Sequence, residues 1–453
     1  MICAIDYTQS AEDASTKKVT FRLTASRELA LQVIVGRIYM RKFTVAASMA
    51  AALMCSTAAM AADIEVTHWW TSGGESAAVA EFARLFNETG NNWVDSALAG
   101  SGEGANPVII SRILGGNPMG ATQMNIGRDS EELIEAGLMT DLSAIAEEEG
   151  WEDFFADPKL LDACRYEGGL YCVPINIHSW HWLWLSVPAF EKAGIPVPTN
   201  WDEYVAAFPA LREAGVIPFG LATGWPLNGI PNVLLADVGG PELYLKVNGE
   251  HDAEAVRGPE FRKVAEAWAA IRDVVDPNEV VPQFSDVANQ ILAGEAAGNI
   301  HGDWIQGEFT VAGAVPGEDY ECLPGLGLSN RIEGAGDAFY FPKLPEGTSR
   351  DVLDAQLDLA RLLVSPEAQV AFNLKKGSMP IRTDVDLSAA NDCMKKGLEI
   401  LAGPEGLLPG SETLNSSDTQ QQLDDLNQEF FADKSYSVDD YIEAYAEIIE
   451  SAD

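Results

Sequence analysis

The chain has 453 residues, of which 47% are hydrophobic and 22% charged, so it is neither disordered nor of low complexity and is long enough for two lobes. Its 69 acidic and 29 basic residues give a net charge of −40. A surface this negative repels phosphate backbones and anionic lipids, which argues against nucleic acid and membrane surfaces as partners and favours a small ligand.

The N-terminal part of the chain carries the features of a secretory leader. A positively charged pair follows Met40, apolar or small residues fill 43–54, and an A-x-A cleavage pattern ends at Ala61. The sequence therefore predicts a signal peptide at 40–61 and export to the periplasm. Since nothing belongs upstream of a signal peptide, residues 1–39 are interpreted as a misassigned start.

Strand and helix signals alternate along the rest of the chain. A β-branched and aromatic run at 64–70 predicts a strand, and apolar residues with helical spacing at 78–86 predict the helix after it. Later helices are predicted at 351–364, 366–373 and 438–449. This alternation indicates an α/β fold with largely parallel sheets. Because no linker divides the chain, two lobes would have to be interleaved.

Four cysteines follow the leader, an even number that is compatible with disulfides in an exported protein. Cys164 and Cys172 flank a predicted hairpin that turns at 167–169, and a three-residue loop would bring them within bridging distance. We predict a Cys164–Cys172 bond and, as a second pair, Cys322–Cys393. Four buried free thiols are the alternative.

Motifs for catalysis and metal binding are scarce. His178 and His181 have a metal-like spacing, but they lie in an apolar run without a third ligand, so they are interpreted as structural. The chain has no G-x-S-x-G, P-loop or H-E-x-x-H motif. No metal and no cofactor are predicted. A carboxylate pair acting as a glycosidase acid and base stays open, because the sequence singles out no such pair.

Tryptophan is the unusual component. All 11 tryptophans follow the leader, and several lie beside polar residues or glycine, among them Trp69, Trp70, Trp225 and Trp304. An indole face packs well against the apolar C–H face of a sugar ring, while neighbouring polar side chains hydrogen-bond its hydroxyls. These residues are candidate sugar contacts, and core packing is the alternative.

Six segments spread along the chain carry a family pattern: HWWTSGGE at 68–75, YEGGLYCVPINIH at 166–178, FEKAGIPVPTNWDEY at 190–204, GDW at 302–304, GDAFYFPK at 336–343 and KKGSMP at 375–380. The chain resembles the sugar-binding proteins of bacterial ABC importers, the maltose-binding-like superfamily, and most closely its glucose/mannose-binding branch. The resemblance implies two interleaved α/β lobes that close over a ligand. The first lobe would comprise 62–177 and 341–385, and the second 178–340 and 386–453.

The resemblance also implies ligand contacts from both lobes. Trp304 would be the stacking platform, Asp337 a hydroxyl acceptor near the hinge, and Lys376 a charged donor. The full implied set is Trp69, Trp70, Glu75, Gln123, Asn125, Trp225, Trp304, Asp337 and Lys376.

Two departures from the branch concern the choice of sugar. Asn125 stands where the glucose binders place a histidine, and the GSETLN segment at 410–415 lacks a second one. The loss of two imidazoles should change which epimer or ring substituent is accepted.

The predicted function is that of a monomer that captures a sugar, such as glucose or a relative, and delivers it to an ABC permease without catalysing a reaction. The alternatives are a secreted carbohydrate-active enzyme and a binder of a non-sugar solute such as a compatible solute.

Overall fold

The structure, a computed structural model, describes residues 61–452 except 128–129, 157 and 404–406. The predicted signal peptide at 40–61 and the predicted start at Met40 therefore lie outside the described residues, apart from Ala61. Among the residues described, no helix combines the length and apolar character needed to cross a membrane.

We number the strands in chain order: β1 Asp63–His68, β2 Asn92–Ala97, β3 Ala121–Asn125, β4 Arg165–Tyr166, β5 Gly169–Leu170, β6 Cys172–Pro174, β7 Trp182–Ser186, β8 Gly298–Ile300, β9 Tyr320–Pro324, β10 Ile332–Gly334, β11 Asp337–Tyr340 and β12 Leu407–Pro409. The helices before β8 are α1 Gly73–Glu88, α2 Ser101–Leu114, α3 Glu131–Glu135, α4 Ser143–Glu148, α5 Pro158–Asp162, α6 Val187–Ala193, α7 Trp201–Glu213, α8 Trp225–Asp237, α9 Pro241–Asn248, α10 Ala253–Val256, α11 Pro259–Val274 and α12 Phe284–Leu292. The later helices are α13 Ile305–Val311, α14 Arg350–Leu363, α15 Pro366–Lys376, α16 Asp392–Leu401, α17 Ser411–Leu414, α18 Ser417–Ala432 and α19 Val438–Glu450.

Two sheets organise the molecule. A five-stranded sheet has the order β2-β1-β3-β11-β6, and a three-stranded sheet has the order β8-β7-β9. In the first sheet β1 runs parallel to β2 and β3, whereas β11 runs antiparallel to β3 and β6. The second sheet is antiparallel throughout. The prediction of largely parallel sheets therefore holds for β1 to β3 and for a separate β10–β12 pair, and it was wrong elsewhere, because β11 enters the first sheet from a distant part of the chain.

Each sheet has its own hydrophobic core, which confirms the predicted two-lobe α/β fold. Val66, Phe82 and Phe339 belong to the core around the five-stranded sheet. Leu183 and Tyr204 belong to a second core at the three-stranded sheet, which a further cluster around Trp184 accompanies. Helices α14 and α15 contribute to the first core, and α18 and α19 to the second, so the lobes are interleaved in sequence.

The position of β11 bears on one of the predicted lobe boundaries. Residues 337–340, expected in the second lobe, form β11 and pair with β3 and β6 of the five-stranded sheet. The chain has therefore returned to the first lobe by Asp337, four residues earlier than predicted. The hydrophobic residues after Gly336 do not indicate which sheet they join, because that depends on where the chain passes from one lobe to the other.

The hairpin before β6 is tighter than predicted. Arg165 pairs with Leu170 and Tyr166 with Gly169, which leaves a loop of two residues instead of three. Both loop residues, Glu167 and Gly168, have positive φ, at 46° and 88°. Positive φ at two central positions gives a turn whose twist matches that of the flanking strands, so Gly169 stays in the strand.

Both predicted cysteine pairs are bonded. The Cα atoms of Cys164 and Cys172 are 5.1 Å apart, and those of Cys322 and Cys393 are 6.0 Å apart. The first bond staples the hairpin of the first lobe, whereas the second joins β9 to α16 across 71 residues of chain. A longer closed loop restricts the unfolded chain more, so the second bond has the larger expected effect on stability.

Candidate ligand site between the two lobes

The start of helix α1 brings Glu75 to the junction of the lobes. Ser72 caps the helix, since its Oγ accepts a hydrogen bond from the Glu75 backbone N–H at 3.3 Å. The same hydroxyl donates to Glu75 Oε2 at 3.1 Å, which fixes the carboxylate in the first turn. The helix itself is anchored by its buried face, including Ala78 and Phe82, as the apolar spacing predicted.

Lys376, the last residue of α15, forms an ion pair with Glu75. Its Nζ lies 2.9 Å from Glu75 Oε1, and its side chain is only 3% exposed. The ammonium is also 5.5 Å from the Trp70 ring centroid and 5.8 Å from that of Trp304. Both indole faces attract a cation at such distances. Lys376 therefore links a carboxylate and an indole of the first lobe to an indole of the second.

Asp337 is the centre of a buried polar cluster at the start of β11. Its Oδ1 accepts from Gln123 Nε2 at 2.7 Å, and its Oδ2 accepts from Asn176 Nδ2 at 2.9 Å. His178 Nδ1 lies 3.4 Å from the same Oδ2. Gln123 Oε1 in turn accepts from the Trp69 backbone N–H at 3.1 Å. This chain of bonds holds the first-lobe polar groups in fixed positions.

The electrostatics of the cluster favour an ion pair. Burial alone would raise the pKa of Asp337, but the hydrogen bond and charge of His178, together with Lys376 and Asn176, hold it well below its usual range. Burial would likewise lower the pKa of His178, and its bond to Asp337 raises it instead. The imidazole is therefore stabilised in its charged form beside the Asp337 carboxylate.

Aromatic rings form the second-lobe side of the junction. The Trp304 ring centroid lies 5.0 Å from those of His178 and Trp180 and 6.1 Å from that of Trp225. His301 lies within this group, 5.3 Å from the centroids of Trp180, Trp225 and Trp304. Ring pairs at these separations stabilise one another. Of the three indoles, Trp304 lies next to a charged group of the first lobe, the Lys376 ammonium.

The lobes also touch directly. The backbone N–H of Gly74, at the start of α1, donates to Glu308 Oε1 of α13 at 2.7 Å. A Cβ at Gly74 would lie 2.4 Å from the backbone carbonyl carbon of Gly307, closer than any side chain can approach. Two glycines thus let the backbones of the two lobes meet.

Comparison with known proteins identifies the family. Residues 70–340 match the family of bacterial extracellular solute-binding proteins. The chain belongs to this family. A relative from Brucella melitensis, named "Probable sugar-binding periplasmic protein", is 34% identical over 355 residues, which cover 77% of this chain and 82% of the relative. A relative of the same name from Rhizobium meliloti is 34% identical over 379 residues, covering 82% and 89%.

Solved structures share the fold of this solute-binding protein. A chitin oligosaccharide binding protein superposes with a TM-score of 0.69 at 18% identity, covering 86% of this chain and 99% of the other. A bacterial solute receptor with a preference for β-D-galactopyranose superposes with a TM-score of 0.68 at 17% identity, covering 86% and 97%. At this level of identity the likeness shows the two-lobe fold.

Most of the site residues predicted for this solute-binding protein lie at the junction. Glu75 and Lys376 form one pair, and Gln123 and Asp337 belong to the polar cluster. Trp225 and Trp304 lie together on the second-lobe side. Trp69 joins the cluster through its backbone N–H.

Two predicted residues lie differently. Trp70 is packed into the first-lobe core, 5.8 Å from Phe339 and 5.3 Å from Phe372 between ring centroids, and Lys376 lies over its ring. Asn125 pairs with Asp337 between neighbouring strands, and its backbone carbonyl accepts from the Tyr340 hydroxyl at 3.3 Å. Thus Trp70 acts as a support beneath Lys376, whereas Asn125 stands at the edge of the cluster.

Sequence reasoning overlooked four residues at this junction: Asn176, His178, Trp180 and Asp303. His178 was interpreted as structural, whereas its ring lies between Asp337 and Trp304. The signal was present, because these residues lie inside or next to the motifs at 166–178 and 302–304. Only His181 fits the structural interpretation, since it is buried with Nδ1 3.4 Å from Asp237 Oδ2.

Proposed function

We propose that this solute-binding protein is periplasmic, binds one sugar of monosaccharide size between its lobes, and delivers it unchanged to an ABC permease. The observation that carries the proposal is the junction itself. The Trp304 indole of the second lobe lies beside the Lys376 ammonium, which belongs to a fixed set of carboxylate, amide and ammonium groups of the first lobe. A sugar presents two apolar ring faces and a rim of hydroxyls, which is the complement of that combination.

Lobe closure provides the mechanism. A ligand that contacts both lobes binds the closed state more tightly than the open state, and so shifts the population towards closure. The contact between Gly74 and Glu308 belongs to the closed state, because it joins the first turn of α1 to α13. The permease then has a surface formed by both lobes by which to recognise the loaded protein.

The relatives and the sequence support the choice of ligand. The names of the Brucella and Rhizobium relatives refer to sugar binding and to the periplasm. The size of the ligand rests on the resemblance to the glucose/mannose-binding branch. A cationic compatible solute would need an open aromatic cage. Here the ring centroids of Trp180, Trp225 and Trp304 lie only 5.0 to 6.1 Å apart, so the indoles pack against one another and leave no room for a quaternary nitrogen among them, which favours a sugar.

A thermal-shift screen of the purified chain without its leader tests the proposal. The panel contains D-glucose, D-mannose, D-galactose, D-xylose, maltose, glycine betaine and single amino acids. We expect a monosaccharide to raise the melting temperature most, because a ligand at 100 times its Kd adds about 2.7 kcal/mol to the free energy of unfolding. NMR of the sugar after long incubation should show no new product. Stabilisation by betaine or an amino acid alone, or turnover of a glycan, would contradict the proposal.

A further inference from the structure

The second-lobe segment that leads from β8 into α13 contains an acid with a peculiar environment. Asp303 is 1% exposed, and its Oδ2 accepts a hydrogen bond from the Ser179 backbone N–H at 3.1 Å. Its other oxygen, Oδ1, is buried and has no hydrogen-bond partner among the described residues. A buried acceptor left in this way costs about 1–3 kcal/mol, so it calls for a partner that arrives from elsewhere.

The cationic groups around Asp303 are already paired with other carboxylates. Lys376, at the end of α15, pairs with Glu75 at 2.9 Å. His178, on the segment before β7, lies 3.4 Å from the Asp337 carboxylate of β11. No cation is therefore left to pair with Asp303 in the part of the chain that the structure describes. An ionised carboxylate at this position would be buried without a counter-ion, which is strongly unfavourable.

Protonation resolves this conflict. Burial raises the pKa of Asp303 to about 8, although His178, the Ser179 N–H and Lys376 act in the opposite direction. Asp337 adds to the increase. The nearby His301 is neutral, because burial and then Lys376 lower its pKa to about 3. At neutral pH the carboxyl group thus carries a proton, and since Oδ2 already accepts from Ser179, the proton lies on Oδ1.

We propose that Asp303, as a neutral carboxylic acid, binds the ligand by donating a hydrogen bond from its Oδ1 hydroxyl to an oxygen of the sugar. This role rests on the proposed function, because it assigns a contact within the same site. In this arrangement Trp304, the next residue, packs against one ring face of the sugar, and Asp303 faces the hydroxyls at the ring edge. The site then selects by donor and acceptor pattern without charging a buried group.

Isothermal titration calorimetry with the monosaccharide that stabilises the protein most in the panel above tests this role. Wild type, Asp303→Asn and Asp303→Ala are compared at pH 7.0 and pH 9.5. If only the protonated acid binds, a pKa of about 8 predicts that wild type binds roughly 30-fold more weakly at pH 9.5. Asp303→Asn keeps an acceptor for Ser179 and a donor towards the ligand, so it should keep its affinity within about threefold at both pH values. Asp303→Ala should bind at least about tenfold more weakly at both.

The Asn variant also controls for any other group of the protein that changes its charge between pH 7.0 and pH 9.5. Side-chain carboxyl ¹³C NMR of the ligand-free protein should show one carboxyl that titrates near pH 8 and disappears in Asp303→Asn. Equal wild-type affinity at both pH values, or loss of binding in a folded Asp303→Asn variant, would overturn the role of Asp303 while leaving sugar binding in place. If no sugar in the panel binds wild type, the proposed function fails, and the role of Asp303 fails with it.

Discussion

The two sides of the candidate site are built on opposite principles. On the first-lobe side, Glu75 is ion-paired with Lys376, and Gln123 donates a hydrogen bond to Asp337 and accepts one from the Trp69 backbone N–H. On the second-lobe side, the segment at 301–306 presents the Trp304 ring together with buried polar atoms that have no partner among the residues described. The first side is internally satisfied, whereas the second is incomplete.

This difference assigns different roles to the two lobes. Groups that are held in place beforehand lose little freedom on binding, so the first lobe defines where hydroxyls must lie. Groups without a partner gain most when a ligand arrives, because a lost hydrogen bond with water is replaced only then. The second lobe should therefore contribute most of the ligand-dependent free energy, and closure should be the step at which it is realised.

The largest effect is expected from removing the stacking ring. Trp304→Ala should weaken monosaccharide binding by about 30- to 1,000-fold, since truncating a central aromatic contact costs about 2–4 kcal/mol. Calorimetry measures the loss, and Trp304→Phe should recover part of it. Trp268→Phe, in the second-lobe core on α11, is the matched control and should leave affinity unchanged. Unchanged affinity in Trp304→Ala would remove this ring from the site.

A smaller effect is expected from blocking closure. Gly74→Ala places a methyl group 2.4 Å from the backbone of Gly307, so the lobes must separate. A shift of about 1.4 kcal/mol in the open–closed equilibrium reduces the apparent affinity about tenfold. Small-angle scattering with saturating sugar should show a more open molecule.

Gly73→Ala is the control for this variant. Its added methyl group meets side-chain atoms alone, the end of Glu308 at 3.3 Å and Val311 Cγ1 at 4.0 Å, and brings the same gain in helix propensity. Affinity should change less than about twofold. Equal behaviour of the two variants would mean that the contact between Gly74 and Gly307 does not limit closure.

The smallest effect is expected in the pH dependence of stability, and it concerns Asp337 on the first-lobe side. Because the pKa of Asp337 is lowered in the folded protein, its contribution is present above about pH 3.9, the value of an unfolded Asp, and is lost as the pH falls below it. Asp337→Asn should therefore show a free energy of unfolding that falls less steeply on acidification, by up to about 1.4 kcal/mol per pH unit. Urea unfolding between pH 3 and pH 5 measures the slopes. Asp425→Asn, which removes an exposed carboxylate on α18, serves as the comparison. Parallel slopes for wild type and Asp337→Asn would contradict the assignment.

The motifs predicted the first-lobe side well and the second-lobe side only in part. The resemblance implied Glu75, Gln123, Asp337 and Lys376, and the structure brings all four together at the junction. Asp303, beside Trp304, was not predicted, because its relevant properties are the burial of its side chain and the lack of a hydrogen-bond partner for Oδ1 among the described residues. His178 was misread for the same reason, because its relevance comes from Asp337, which is 159 residues further along the chain.

The sequence by itself determined the α/β alternation, the apolar face of α1, the Cys164–Cys172 pair and the family, because each depends on local spacing or on motifs that survive in the chain. Only the tertiary structure decided that β11 returns to the first sheet, that Trp70 supports Lys376 from within a core, and that Gly74 meets Gly307 between the lobes. Those features join segments more than 200 residues apart, and the direction in which a chain crosses between sheets leaves no periodic trace in its residues.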